Sequence, residues 1–232
     1  MSFFKEFQSL DKIGMQFNTN KSSAWVNAQG EQIEHTSLLH KYEFFLHKYK
    51  DVENFKMLEL GAGPDINIGA SCRMWKDYFH ESADIHVADD KQSAAKLQSE
   101  GFTVHVGDLG SFGFLKSLTN HTWDFLIDDA SHIWTHQILA FRNLFSFVAS
   151  GGIFVVEDLC TSFGKMRGDY GQGMDQRDAT NFFLALSRCV CGYDEDTSIV
   201  DDIYKLTEAD KKLVLHIDMI SWMGNSCIIV KK

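Results

Sequence analysis

The spacing of apolar positions changes once, near residue 55. Residues 1 to 50 carry an amphipathic, helix-like pattern, interrupted at Asn18-Thr19-Asn20-Lys21-Ser22-Ser23. From Phe55 onward, short β-rich runs alternate with helix-like stretches. Residues 56–60, 85–88, 103–106, 123–127 and 153–156 read as five strands. Between them, residues 71–79, 93–100 and 133–148 read as helices, the second closed by Gly101. Strands separated by helices of this length predict βαβ units and a parallel sheet. The tail differs: residues 214–217 and 227–230 flank a turn at Met223-Gly224-Asn225-Ser226, which predicts an antiparallel hairpin. The expected fold is α/β, a doubly wound, Rossmann-like and mostly parallel sheet with a C-terminal antiparallel hairpin and a helical N-terminal extension.

The chain of 232 residues has one proline and no low-complexity linker, so a single domain over 1–232 is expected, with 1–50 as the extension and 51–232 as the core. A net charge of −10 argues against a nucleic-acid partner, because phosphate contacts need many Lys and Arg. No run reaches the 18 or more apolar residues of a membrane span, so no membrane association is expected. The first residues lack the charged and apolar regions of a secretory signal. Five scattered cysteines include no C-x-x-C pair, which removes zinc-knuckle and thioredoxin-like readings and suits reduced thiols in the cytoplasm.

In an open α/β sheet, ligands sit beyond the carboxyl ends of the strands. The first strand ends in Leu58-Glu59-Leu60-Gly61-Ala62-Gly63, where glycines let backbone approach a ligand. The third glycine of a dinucleotide fingerprint is absent; Ile66 stands there, so a pyrophosphate cradle is poorly supported. Asp89 ends the second strand, where it can accept hydrogen bonds from a ribose diol, and Asp108 follows the third, within reach of an adenine amino group. Each acid alone reads rather as a helix cap or a solvated loop residue. Together with the glycine turn they suit an adenosyl ligand without pyrophosphate, such as S-adenosylmethionine.

Asp128-Asp129-Ala130-Ser131-His132 after the fourth strand is matched by Glu157-Asp158 after the fifth. If these strands are neighbours, their axes lie about 4.8 Å apart and four carboxylates and an imidazole share one rim. Such a cluster repels itself unless a cation joins it, and oxygen ligands point to a hard ion such as Mg²⁺ rather than zinc. The alternative is that Asp129 or Asp158 caps the following helix.

Asp128-Asp129-Ala130-Ser131-His132 and the run from Gly151-Gly152-Ile153 through Glu157-Asp158-Leu159 to Ser162 resemble the metal-dependent O-methyltransferases of macrolide sugars, of the mycinamicin and tylosin type. So does the stretch Gly69-Ala70-Ser71-Cys72-Arg73-Met74-Trp75. The resemblance covers roughly residues 56 to 165, with thinner echoes at Thr19-Asn20-Lys21 and Tyr42. It implies a class I S-adenosylmethionine-dependent fold, metal ligands at Asp129, Glu157 and Asp158, and a general base at His132. Cofactor contacts are expected at Glu59, Gly61, Gly63, Ser71, Asp89, Asp108 and Asp128. Ala130 departs from the family's usual glycine, and residues 160–178 differ from the longer family versions.

The resulting expectation is a divalent-metal-dependent O-methyltransferase acting on a small hydroxylated acceptor, a sugar or a glycosylated natural product. A catechol-like or nucleotide-sugar acceptor, and a non-catalytic adenosyl-binding protein, remain open, as does a homo-oligomer. Gly164 to Gly173 reads either as a lid or as a solvated loop, Trp134 either as acceptor lining or as core, and His136 as a packing or surface residue.

Overall fold

The short, mostly apolar runs at 57–60, 125–127 and 153–156 are buried throughout, as strands inside a sheet covered on both faces. The computed structural model describes residues 7–172, 178–192, 200 and 203–232. It is an α/β fold with a seven-stranded, mostly parallel sheet and an antiparallel C-terminal hairpin. Two compact units carry it, Met1–Val106 and Gly107–Lys232.

The N-terminal unit begins with α1 (Ser9–Gln16), a small antiparallel hairpin of β1 (Ala24–Val26) and β2 (Gln32–Glu34), and α2 (Leu39–Leu46). The expected helical extension does break after α1, as the interruption at residues 18–23 predicted, but a two-stranded hairpin that was not expected fills the break. Short polar side chains make the break. Asn18 exchanges two hydrogen bonds with the backbone of Val26, and Asn27 holds the turn by accepting from the N–H groups of Gln29 and Glu31. Buried Asp11 ties this segment together, accepting from Ser23 N–H, the Ser23 and Ser37 hydroxyls, and His40 Nε2 at 3.2 Å. Burial alone would raise its pKa; the hydrogen bonds from Ser37 and Ser23 outweigh burial and hold it below the usual value.

The sheet portion of this unit consists of β3 (Lys56–Leu60), β4 (Asp84–Asp89) and β5 (Thr103–Val106), all parallel, with α3 (Ala70–Tyr78) after β3. Leu60 pairs with Ala88 and Asp89 with Val106, so the strand ends are level. The helix expected over 93–100 is instead a run of 3₁₀ turns, Gln92–Glu100, closed by left-handed Gly101.

The C-terminal unit runs through α4 (Phe112–Ser117), β6 (Trp123–Asp128), α5 (Trp134–Leu144), β7 (Val148–Val156), α6 (Arg167–Tyr170), α7 (Ala179–Cys191), α8 (Glu208–Val214), β8 (Ile217–Met223) and β9 (Ser226–Lys231). Strands β6 and β7 are parallel, whereas β9 lies antiparallel between β7 and β8. The helix expected to reach residue 148 stops at Leu144, because Val148 already pairs with Trp123. Val214 and Leu215, expected in a strand, lie at the end of α8 and just beyond it. That helix opens with a capping box between Thr207 and Asp210, whose carboxylate also takes a two-pronged bond from Arg142. Phe141, Phe145, Phe154, Phe182 and Phe183 form the aromatic core of this unit.

Among the described residues, no helix is long and apolar enough to cross a membrane.

Candidate functional site

In the N-terminal unit, the end of β3 turns sharply through Gly61 (φ +96°) and Gly63 (φ +84°), a backbone region that only glycine adopts without strain. The space a side chain would fill at Gly63 meets only the Asn67 carbonyl at 3.9 Å, so the backbone there is bare on one side. Asp89 is buried and braces this turn: one carboxylate oxygen accepts from Ala62 N–H at 2.6 Å, the other from Lys91 N–H at 2.7 Å. Asn67 donates to the Asn18 carbonyl, fixing the loop beyond the turn to the segment after α1. Glu59 lies wholly buried within β3 and accepts a contact from the Cys72 thiol, whose pKa is driven well up by burial and then by the Glu59 charge. Ser71 is buried in the first turn of α3. The structure thus gathers Glu59, Gly61, Gly63, Ser71 and Asp89 on two strand ends and one helix start.

In the C-terminal unit, Asp108 is exposed and closes a tight turn by accepting from Gly110 N–H at 2.8 Å. The parallel register sets Asp128 beside Val156, and Glu157 N–H donates to the Asp128 carbonyl at 2.9 Å. The two acidic strand ends therefore do meet. Asp129, His132 and Asp158 each offer one ligand atom within 4.8 Å of the others. His132 Nε2 stands 3.4 Å from Asp158 Oδ2. Glu157 is buried and lies outside that trio; its carbonyl accepts from the Gln137 side chain at 2.8 Å. Relative to the expected carboxylate triad, the observed grouping holds His132 in place of Glu157.

His132 (φ +57°) and Asp158 (φ +55°) are both left-handed, a conformation that costs a non-glycine residue on the order of 1 kcal/mol or more. Tertiary bonds hold them there. The Thr161 hydroxyl bonds with the carbonyls of Asp158 and His132, and the Tyr170 ring stands 6.2 Å from the imidazole. Asp128, the residue before Asp129, is fully buried; burial foremost, and also the Asp129 charge, push its pKa up to about 7 against a single weak N–H from Ala130. Asp128 Oδ2 and His132 Nδ1 are buried without a hydrogen-bond partner. Two carboxylates, Asp129 and Asp158, thus stand together beside the His132 imidazole, and oxygen donors of this kind would suit a hard divalent cation.

Asn225 is a site residue that sequence reasoning missed. It sits in the β8–β9 turn, and its amide donates to Asp158 Oδ1 at 2.6 Å. The run Gly224-Asn225 signals a turn, but nothing in the sequence tells where the turn lands. Trp134 is core: it is buried, with the Arg167 guanidinium 5.0 Å over its ring. His136 is half-buried and hydrogen-bonded to Ser131. The described part of the Gly164–Gly173 stretch is a 3₁₀ turn followed by α6, tied by Arg167 to the Ser162 carbonyl and to Asp178; Gly173 itself lies outside the described residues.

No family model matches the chain. Demethylmacrocin O-methyltransferase of Streptomyces fradiae is 35% identical over 128 residues, 53% of this chain and 31% of that protein. Its relatives are O-methyltransferases. An 8-demethyl-8-(2-methoxy-alpha-L-rhamnosyl)-tetracenomycin-C 3'-O-methyltransferase of Streptomyces olivaceus is 36% identical over 114 residues, 47% of this chain and 28% of that protein. Mycinamicin VI 2''-O-methyltransferase of Micromonospora griseorubida is 34% identical over 125 residues, 50% of this chain and 30% of that protein. The chain spans roughly a third of the length of these curated relatives. Among solved structures, the MycE methyltransferase of the mycinamycin biosynthetic pathway, in complex with Mg and SAH, superposes with a TM-score of 0.71 at 21% identity. That match covers 96% of this chain and 54% of the other. It is a likeness of fold.

Proposed function

We propose that the chain is an S-adenosylmethionine-dependent O-methyltransferase that methylates a hydroxyl of a sugar or glycosylated natural product with the help of Mg²⁺ or another hard divalent cation. The observation that carries this reading is the convergence of Asp129, His132 and Asp158 within 4.8 Å. Support comes from relatives whose names specify rhamnosyl and olivosyl acceptors.

The residues fit both groups. A carboxylate offers about four lone-pair positions, and the two backbone donors on Asp89 leave the others for a ribose diol. The bare backbone at Gly63 leaves room for close approach. The neighbouring carboxylates of Asp129 and Asp158 suit a hard cation. S-adenosylmethionine supplies a methyl group on a positively charged sulfur, a good leaving group. A divalent cation supplies charge that favours the deprotonated acceptor.

The chain's own part is alignment and proton removal. Asp129 and Asp158 would hold the cation, and with it the acceptor's adjacent oxygens. With an acceptor in place, His132 Nε2 would take the proton that the hydroxyl gives up as its oxygen accepts the methyl group. Asp158 Oδ2, 3.4 Å from Nε2, stabilises the imidazolium that results. Incubation with S-adenosylmethionine, Mg²⁺ and a panel of rhamnosylated and olivosylated polyketides, nucleotide sugars and catechols tests this by product mass. One added methyl on a glycosylated polyketide, lost after EDTA treatment, is the expected result. Methylation of catechols alone, or of nothing in the panel, overturns it.

A further inference from the structure

The β8–β9 turn reaches the proposed cation site from outside the two acidic strand ends. Antiparallel pairing of Val156 with Cys227 brings residues 224 and 225 to the carboxyl end of β7. There Asn225 makes two bonds at once. Its backbone carbonyl accepts from Leu159 N–H at 2.8 Å, and its side-chain amide donates to Asp158 Oδ1 at 2.6 Å. The first bond fixes the chain just after the left-handed residue; the second fixes the carboxylate. Asp158 Oδ2 is thereby directed to His132 and the trio. An amide suits this task because it is neutral: it uses one carboxylate oxygen and leaves the full negative charge for a cation, whereas Lys or Arg would cancel it.

We propose that Asn225 is a positioning residue that orients Asp158 toward the cation, an inference that rests on the cation reading above. Carboxylates that ligate metals are commonly held by such outer partners, whose loss weakens binding by about 10- to 100-fold. Asn225 has a negative φ, so alanine is compatible with its backbone, and the Leu159 N–H bond to its carbonyl survives substitution.

The test measures Mn²⁺ affinity by water-proton relaxation for the wild type, Asn225→Ala, the near-isosteric Asn225→Leu, Asp158→Asn and the Asn225→Ala/Asp158→Asn double variant. S-adenosylhomocysteine affinity is measured in parallel. Both Asn225 variants are expected to bind Mn²⁺ about 10- to 100-fold more weakly with S-adenosylhomocysteine affinity kept, and Asn225→Ala to add nothing once Asp158 is Asn. Unchanged Mn²⁺ affinity, an equal loss in the Asp158→Asn background, or a parallel fall in S-adenosylhomocysteine affinity overturns the proposal. A wild type that binds no Mn²⁺ overturns the cation reading itself, a different and recognisable failure.

Discussion

Two carboxylates at strand ends, Asp89 and Asp158, are held in opposite ways. Each oxygen of Asp89 takes a backbone N–H, one from Lys91 two residues on and one from Ala62 in the turn after the neighbouring strand, so its position follows from the backbone of two adjacent strand ends. Asp158 has one oxygen on the side chain of Asn225, 67 residues away, and the other facing an imidazole. At the first rim both Asp89 oxygens are fixed by backbone N–H groups, with lone-pair positions left over. The second carries two left-handed residues and buried polar atoms without partners. Backbone bonds from two adjacent strand ends make a rigid cradle; at the acidic cluster a side chain from a distant turn fixes the carboxylate.

Removing the base tests that division most severely. His132→Ala should lower kcat by about 10²- to 10⁴-fold while S-adenosylhomocysteine affinity, measured by calorimetry, stays within about twofold. A parallel loss of affinity would mean that the two rims do not work separately.

Asp210, saturated by Arg142 and Thr207 and remote in role from both rims, serves as the contrast. Its side chain is fully buried, so Asp210→Ala should destabilise the protein by about 3 kcal/mol in urea unfolding, because it strands the Arg142 charge. A loss below about 1 kcal/mol would show that saturation confers little stability here.

Smaller still, Asp89→Asn turns an acceptor into a donor against one of two N–H groups. S-adenosylhomocysteine should bind about tenfold more weakly, or about 1.4 kcal/mol, with Mn²⁺ affinity unchanged. Equal weakening of both ligands would erase the distinction between cradle and cluster.

The gentlest effect is on acid stability. Asp11 and Asp210 are buried acids whose pKa burial would raise, but hydrogen bonds from Ser37 and Ser23, and from Arg142 and Thr207, hold them below the ordinary value. A depressed folded pKa stabilises the fold above the unfolded value of about 3.9, and that contribution fades as pH falls through the folded pKa. The melting temperature should therefore drop below about pH 4, less steeply in Asp210→Asn. An acid limb of unchanged slope in that variant would remove Asp210 from the account.

Strands were the legible part of the fold. Residues 56–60 and 103–106 were delimited by β-prone residues and by the glycines and acids that follow; the first is buried, whereas the second, Thr103-Val104-His105-Val106, alternates and is only half-buried. The β1–β2 hairpin was not legible. Its strands have three residues each, are mostly exposed, and depend on Asn18 and Asn27 side chains instead of a hydrophobic period. At 93–100 the helical spacing was real, but the turns closed as 3₁₀, a difference of one residue in hydrogen-bond reach that periodicity does not resolve.

What the residues alone determined is the chemistry available at each strand end: a glycine turn, Asp89, two acidic pairs and His132. Those are local properties, set by residue type and distance along the chain. Which atoms meet was decided by the tertiary structure. Register brought Asp128 beside Val156, left-handed backbone at His132 and Asp158 drew those two toward Asp129, and Glu157 was kept out of the trio. The β8–β9 hairpin was legible, but the reach of Asn225 to Asp158 required β9 to pair antiparallel with β7, through hydrogen bonds between segments some 70 residues apart that leave no local trace in the sequence.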